Sequence, residues 1–97
     1  MQILQTEAFG PRVGEAFDMD MGGATTPLTL VQVQPLPLQV GGPQRRAPFS
    51  LIFRSQSQIV FPQKTYRLTN AAIGAIDVFL VPVGREATGI VYQAVFN

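Results

Sequence analysis

The sequence predicts a single all-β domain, residues 1–97, built as an antiparallel β-sandwich or a small, partly open barrel of seven to eight short strands. Apolar and polar residues alternate over most of the chain, which is the period of a half-buried strand. Nine glycines and eight prolines punctuate these runs, and no apolar stripe of helical period is present. The length suits one core, because domains rarely fall below about 50 residues.

The first strands are predicted in the N-terminal third. Residues 17–21 alternate apolar and acidic side chains, and Gly22–Gly23 ends this strand. Residues 28–34 are rich in β-branched side chains and predict a second strand. Pro35 and Pro37 donate no backbone hydrogen bond, so the segment around them is either an edge strand or a connection at the sheet margin.

The middle of the chain combines a loop with further strands. Residues 41–48 contain glycines, prolines, Arg45 and Arg46, which is typical of an exposed loop. Residues 49–54 alternate again and predict a strand with two aromatic rings in the core. Residues 58–61 form a short extended run before a proline-containing turn.

Residues 65–69 predict another strand, and residues 76–83 and 90–96 predict an antiparallel hairpin. Pro82 indicates a bulge or an edge within the hairpin. The predicted inward positions, or their alternates on the same strands, are Phe17, Met19, Leu30, Val33, Phe49, Leu51, Phe53, Tyr66, Leu68, Phe79 and Val81.

The hairpin is apolar on both faces, whereas a strand that is buried on one side shows polar residues on the other. Something is therefore expected to cover its second face. That cover is either another part of this chain, as in a sandwich, or another subunit.

The absent residue types exclude most catalytic and metal-site designs. The chain contains no histidine and no cysteine, so it lacks the usual general base near neutral pH, the thiolate nucleophile and the commonest zinc ligands. No serine has a glycine elbow or an acidic orienter beside it in sequence. We therefore expect no enzyme activity, no catalytic residues, no cofactor and no metal.

Two charged pairs have a functional and a structural interpretation. Asp18 and Asp20 could offer carboxylate oxygens to calcium, but alternation places both on the solvent face and the next residues add no side-chain oxygen. Arg45 and Arg46 could bind a phosphate or a partner carboxylate. A net charge of +1 without a wider basic stripe argues against nucleic-acid binding.

No targeting or membrane segment is predicted. The opening residues lack a basic region followed by a long apolar run. Residues 78–83, the longest apolar stretch, are far shorter than the roughly 18 residues of a membrane-spanning helix. We expect synthesis in the cytoplasm and no association with a membrane. The final location is unknown, and an assembled particle or fibre is one destination.

Several strand segments resemble a bacterial family of all-β domains of about this length, catalogued as a domain of unknown function. The similarity covers residues 9–97 and is carried by LTL at 28–30, PFSLIFR at 48–54, YRL at 66–68, FLVPV at 79–83 and YQAVFN at 92–97. Members of this family are often encoded beside phage-tail-collar fibre proteins. The resemblance implies a non-enzymatic partner of tail-derived or fibre-like assemblies and assigns no site residue.

The first functional hypothesis is a structural, protein-interaction subunit that binds a tail-collar or fibre-like protein, or a second copy of itself, through a sheet edge or an apolar face. The alternative is a small-molecule or carbohydrate-binding β-module, for which glutamines offer hydrogen bonds but no tryptophan offers a stacking platform. The residues predicted to contact a partner are Arg45, Arg46, Pro82, Val83, Tyr92 and Phe96, because arginine and tyrosine are enriched at interface hot spots.

Overall fold

The computed structural model describes residues 6–36 and 48–96, in which six antiparallel strands close into a barrel. Around the barrel the order is β1-β2-β3-β6-β5-β4, and β4 pairs with β1 to close it. Arg45, Arg46 and most of the possible edge strand around Pro37 lie outside the described residues. The elements are α1 (Thr6–Phe9), a 3-10 turn (Gly10–Arg12), β1 (Ala16–Asp20), β2 (Thr25–Pro35), β3 (Phe49–Ser55), β4 (Lys64–Asn70), β5 (Gly74–Glu86) and β6 (Gly89–Phe96).

The all-β, antiparallel prediction is confirmed, whereas the sandwich and the count of seven to eight strands are wrong. Residues 58–61 form a loop because their backbone donors bind side chains instead of a neighbouring strand. The N–H groups of Ser57 and Ile59 donate to serine hydroxyls two residues earlier, at 3.1 Å each. The N–H of Phe61 donates to the Tyr92 hydroxyl at 3.0 Å.

Side-chain alternation determines which residues enter the barrel, and on β5 it runs opposite to the predicted phase. Ile76, Val78 and Leu80 point inward and are buried, whereas Phe79 is exposed and Val81 is half-buried. Each buried β4 side chain lies opposite an even-numbered β5 residue, so the pairing with β4 decides the phase. The sequence carried one local signal for this phase, because Asp77 shares the outward side of β5 with Phe79 and Val81.

Side chains fill the interior of the barrel, as expected for so few strands. Phe9 of α1 is fully buried and closes one end. Its ring lies 5.9 Å from Phe49, 5.7 Å from Phe96 and 6.5 Å from Phe17. The rings of Phe49 and Phe96 stack at 4.8 Å. The described interior is therefore a packed core rather than a binding cavity.

A buried amide connects the β4–β5 turn to the start of β1. Asn70 donates through Nδ2 to the Ala16 carbonyl at 3.0 Å and to Glu15 Oε1 at 3.2 Å. Its Oδ1 accepts from the N–H groups of Ala72 at 2.9 Å and Ile73 at 3.1 Å. This buried polar side chain is thus well supplied with hydrogen-bond partners, as buried amides usually are.

Two register shifts interrupt the strand pairing. One lies on β2 between Leu30 and Gln32, and the other lies on β5 between Pro82 and Gly84. The second confirms the bulge predicted at Pro82, where the missing N–H is tolerated. The strand edge that was the other possibility is not formed, because β5 pairs with β4 and β6 in the closed barrel.

Candidate functional site

The hairpin residues predicted to contact a partner lie at the β5 bulge. Pro82 is half-buried, opposite Tyr92 on β6. Val83, which follows it, is 52% exposed. Val83 therefore has free apolar surface to offer a partner, whereas Pro82 shapes the strand. Arg45 and Arg46 cannot be placed, since they lie outside the described residues.

The other two predicted contact residues belong to the core. Tyr92 is 1% exposed, and its hydroxyl accepts the hydrogen bond from Phe61. Phe96 is half-buried and packs between the rings of Phe9 and Phe49. In the sequence, an aromatic ring with a hydroxyl suggests an interface residue. In the structure, the Tyr92 hydroxyl instead accepts a hydrogen bond within the fold. Tyr92 has almost no surface left for a partner.

The outer wall of the barrel carries a contiguous apolar region. We define the outer apolar face as Ile52 on β3, Phe79 and Val81 on β5, and Val91 and Val95 on β6. Phe79 and Val95 are 51% and 50% exposed, and the other three are half-buried. Outward positions of a barrel strand that meet water are normally polar. The composition of this face is therefore unusual for a solvent-facing wall.

Cross-strand register places two residues of this face, Val81 and Ile52, in one row on either side of Gln93. Val81 lies opposite Gln93 on β6, and Gln93 lies opposite Ile52 on β3. Ile52 in turn lies opposite Gln32 on β2. This row crosses four strands with apolar side chains and amides, and it contains no charged residue.

A second region of the wall is charged. We define the charged sector as Asp18 and Asp20 on β1, Arg67 on β4 and Asp77 on β5, all of which are exposed. Arg67 Nε donates to Asp77 Oδ1 at 3.1 Å, and this hydrogen bond raises the pKa of Arg67. Asp20 Oδ1 accepts from the N–H of Gly22 at 2.8 Å, within the β1–β2 turn.

The charged sector borders a shallow, open depression rather than a closed pocket. Asp18, Asp20, Arg67 and the hydroxyls of Thr25 and Thr69 line it. The solvent-facing position predicted for the two aspartates is confirmed. Within residues 6–36 and 48–96, no cluster of three or more acidic side chains is placed to hold a metal ion.

The loop between β3 and β4 exposes further apolar surface near the hairpin tip. Ile59 is 67% exposed and Val60 is also exposed. Gln58 Nε2 donates to the Ala87 carbonyl at 3.3 Å, which connects this loop to the β5–β6 turn. The exposed loop residues therefore lie near the β5–β6 turn.

Sequence reasoning did not select Phe79 or Val95 as contact residues, although the signal was present. Both lie on strands that are apolar on both faces. Once one phase of each strand enters the barrel, the other must be outside. The missing information was the phase, which depends on pairing with β4 and β3.

Over the described residues, the filled interior, the closed wall and the partly apolar outer surface define a small all-β barrel domain. The chain belongs to the family described as a domain of unknown function, DUF6916, which matches residues 4–96. The resemblance to such a family is thereby confirmed. No curated protein and no solved structure matches the chain.

Over the described residues, none of the helices has the length and apolar character needed to cross a membrane.

Proposed function

We propose that the protein is a non-enzymatic, structural interaction subunit, an accessory or assembly partner of a phage-tail-like or fibre-type complex, that binds its partner through the outer apolar face. The observation that carries the proposal is the exposure of Phe79 and Val95 on a wall whose inner side is already packed.

The apolar face is not needed to complete the core. Folding of this barrel requires apolar residues at inward positions, and each strand contributes buried apolar residues to the core. Contiguous apolar patches on soluble monomers are usually small, and larger ones mark interaction sites. A partner that covers the face removes this surface from water and gains hydrophobic stabilisation that folding leaves unused.

The closed barrel supports one of the two binding routes suggested by the sequence. A free strand edge would allow a partner to extend the sheet. Each described strand pairs with two neighbours, so the proposal uses the face and not an edge. The tail-collar or fibre-like nature of the partner is supported by the gene neighbourhood that the family resemblance implies, which is an argument from association.

A carbohydrate-binding role has less support. The interior is filled, and the depression beside Asp18 and Arg67 has no aromatic residue in its lining on which a sugar ring could stack. The packed barrel favours a macromolecular partner that binds the outer surface.

The test measures binding between the purified chain and the product of an adjacent tail-collar gene by calorimetry. Val95→Lys should weaken binding at least about ten-fold, because it places a charge in the apolar contact. Met21→Lys is the matched control, since Met21 is an exposed apolar residue beside β1, on the wall opposite β6. Absence of binding by the wild type, or equal loss in both variants, would reject the proposal.

A further inference from the structure

Arg54 on β3 is a half-buried cation without a counter-charge. Of the described arginines, Arg12 and Arg54 are half-buried. Arg12 pairs with Glu15 at 3.0 Å, whereas over residues 6–36 and 48–96 no acidic side chain pairs with Arg54. All six acidic residues of the sequence lie within those two ranges. The Arg54 guanidinium is therefore not neutralised by any acidic side chain of the described residues.

The position of Arg54 places it beside two residues of the outer apolar face. Arg54 follows Ile52 by two residues on the outward side of β3 and lies opposite Val91 on β6. On its other side it lies opposite Thr29 on β2. Beyond Val91 the row continues to Gly84 on β5, where a Cβ would meet nothing within 4 Å. The residues around the guanidinium are therefore apolar or uncharged, and the wall next to it is open.

A partner that covers the outer apolar face also covers Arg54. Because Arg54 is adjacent to both Ile52 and Val91, a surface that packs against these two side chains removes water from the guanidinium. Burying a charge is strongly unfavourable unless it is paired and hydrogen-bonded. A carboxylate suits this guanidinium, because its two oxygens accept two parallel hydrogen bonds from the planar donor.

We propose that the protein partner presents an aspartate or glutamate carboxylate to Arg54 within an otherwise apolar contact, an inference that rests on the proposed function of the outer apolar face. The carboxylate fixes the orientation of the partner, because apolar burial by itself has no direction. A nucleic acid fits this position poorly, since successive phosphates are bound by a series of cations and not by one arginine among apolar side chains. Arginine in such a setting is typical of protein interfaces.

Calorimetry with the product of the adjacent tail-collar gene provides the first test. Arg54→Gln should weaken binding at least about ten-fold, because it leaves the partner's carboxylate buried and unpaired. Arg67→Gln is the matched control: it removes the same charge from β4, which lies opposite β3 in the ring of six strands. This control should change binding less than about two-fold. Circular dichroism and thermal unfolding check that both variants are folded, and equal losses of binding would overturn the carboxylate contact.

The chain contains one lysine, Lys64, which allows a second and more direct test. In Arg54→Lys the amine at position 54 keeps the positive charge, and a carbodiimide should join it to the partner's carboxylate as an amide without a spacer. Peptide mapping should place this link between position 54 and an aspartate or glutamate of the tail-collar protein. Arg67→Lys should give no link at position 67. No link at position 54, or equal links in the two variants, would overturn the carboxylate contact.

The carboxylate contact and the proposed function can fail separately. Binding that is weakened by Val95→Lys but not by Arg54→Gln would overturn the carboxylate contact and retain the proposed function. Binding that is weakened by Arg54→Gln but not by Val95→Lys would support the carboxylate contact and overturn the proposed use of the outer apolar face. A wild type that binds no tail-collar protein would overturn both.

Discussion

The outer apolar face and the charged sector occupy the same barrel wall but are built for different surroundings. Asp77 belongs to the charged sector, and Phe79, two residues later on β5, belongs to the apolar face. Behind both lie the same kinds of buried side chain, Ile76 and Leu80. Since the core requires the same of both regions, core packing does not account for the difference between their outer surfaces.

The comparison shows that apolarity along a strand has two separate causes. At inward positions it is required for folding, because the hydrophobic effect is the main favourable contribution to stability. At outward positions the folded chain leaves it in contact with water, and we propose that a partner covers it. The charged sector demonstrates that this barrel tolerates charges on its outer wall, so the apolar face is not a by-product of strand propensity.

The largest expected loss of stability comes from a substitution in the barrel wall that carries both regions. Gly89 begins β6 with φ +142°, and a Cβ at this position would overlap the Ser55 carbonyl of β3. Gly89→Ala should destabilise the fold by about 4 kcal/mol, measured by urea unfolding. Gly84→Ala is the control, because its Cβ meets nothing within 4 Å; it should change stability by less than about 0.5 kcal/mol. Similar losses in both would contradict this account.

The next prediction compares the two sides of β5 directly. Leu80 is fully buried and Phe79 is half exposed. Leu80→Ala should cost about 3 kcal/mol of unfolding free energy through lost burial and a cavity, whereas Phe79→Ala should cost less than about 1 kcal/mol in the monomer. Urea unfolding at low protein concentration measures both. A larger loss for Phe79 would show that this ring supports the fold rather than an interface.

A smaller effect on stability concerns the ionisation of Tyr66, whose side chain lies inside the barrel. The buried Tyr66 hydroxyl donates to the Pro62 carbonyl at 2.6 Å, and burial, followed by the nearby Tyr92, raises the pKa of Tyr66 above 10.0. The folded state then holds the phenol proton more tightly than the unfolded state, so this stability is present below pH 10 and decreases as pH rises through the raised pKa.

Tyr66→Phe should lose about 1 kcal/mol at neutral pH, with the hydrogen bond. It should also show a weaker decline in stability between about pH 9 and pH 11 than the wild type. Urea unfolding across this range is the measurement. Identical pH profiles would show that Tyr66 does not contribute to alkaline destabilisation.

The smallest expected effect is in the charged sector. Arg67 and Asp77 form an ion pair with both side chains more than half exposed. Asp77→Asn should change the unfolding free energy by less than about 0.5 kcal/mol, because water and salt screen the pair. A loss above about 1 kcal/mol, measured in the same urea assay, would make this pair part of the fold's framework.

Much of the fold could be predicted because strand alternation is a local signal. Residues 17–20 and 65–69 have one polar and one apolar face, so the strand and its buried side are both readable, and Phe17, Met19, Tyr66 and Leu68 are buried as predicted. The proline at position 82 similarly indicated a bulge or an edge, because both tolerate the missing N–H of that one residue, and the structure shows the bulge.

The candidate site was less readable because it depends on partners that are distant in sequence. Arg45 and Arg46 stand out as charged residues in a loop, whereas Phe79 and Val95 look like ordinary core residues. Only the pairing of β5 with β4, and of β6 with β3, turns these two side chains outward. The same pairing buries Tyr92, which was predicted to contact a partner because tyrosine is enriched at interfaces.

The amino-acid sequence by itself determined the strand class and the lack of histidine and thiol chemistry, and it limited Pro82 to a bulge or an edge, since these follow from residue types and short-range spacing. Tertiary structure alone decided that the strands close into one six-stranded barrel, that residues 58–61 form a loop, and which face of the hairpin meets water. Barrel closure and strand phase depend on hydrogen bonds between residues far apart in the chain, and a strand that is apolar on both faces carries no local preference between them.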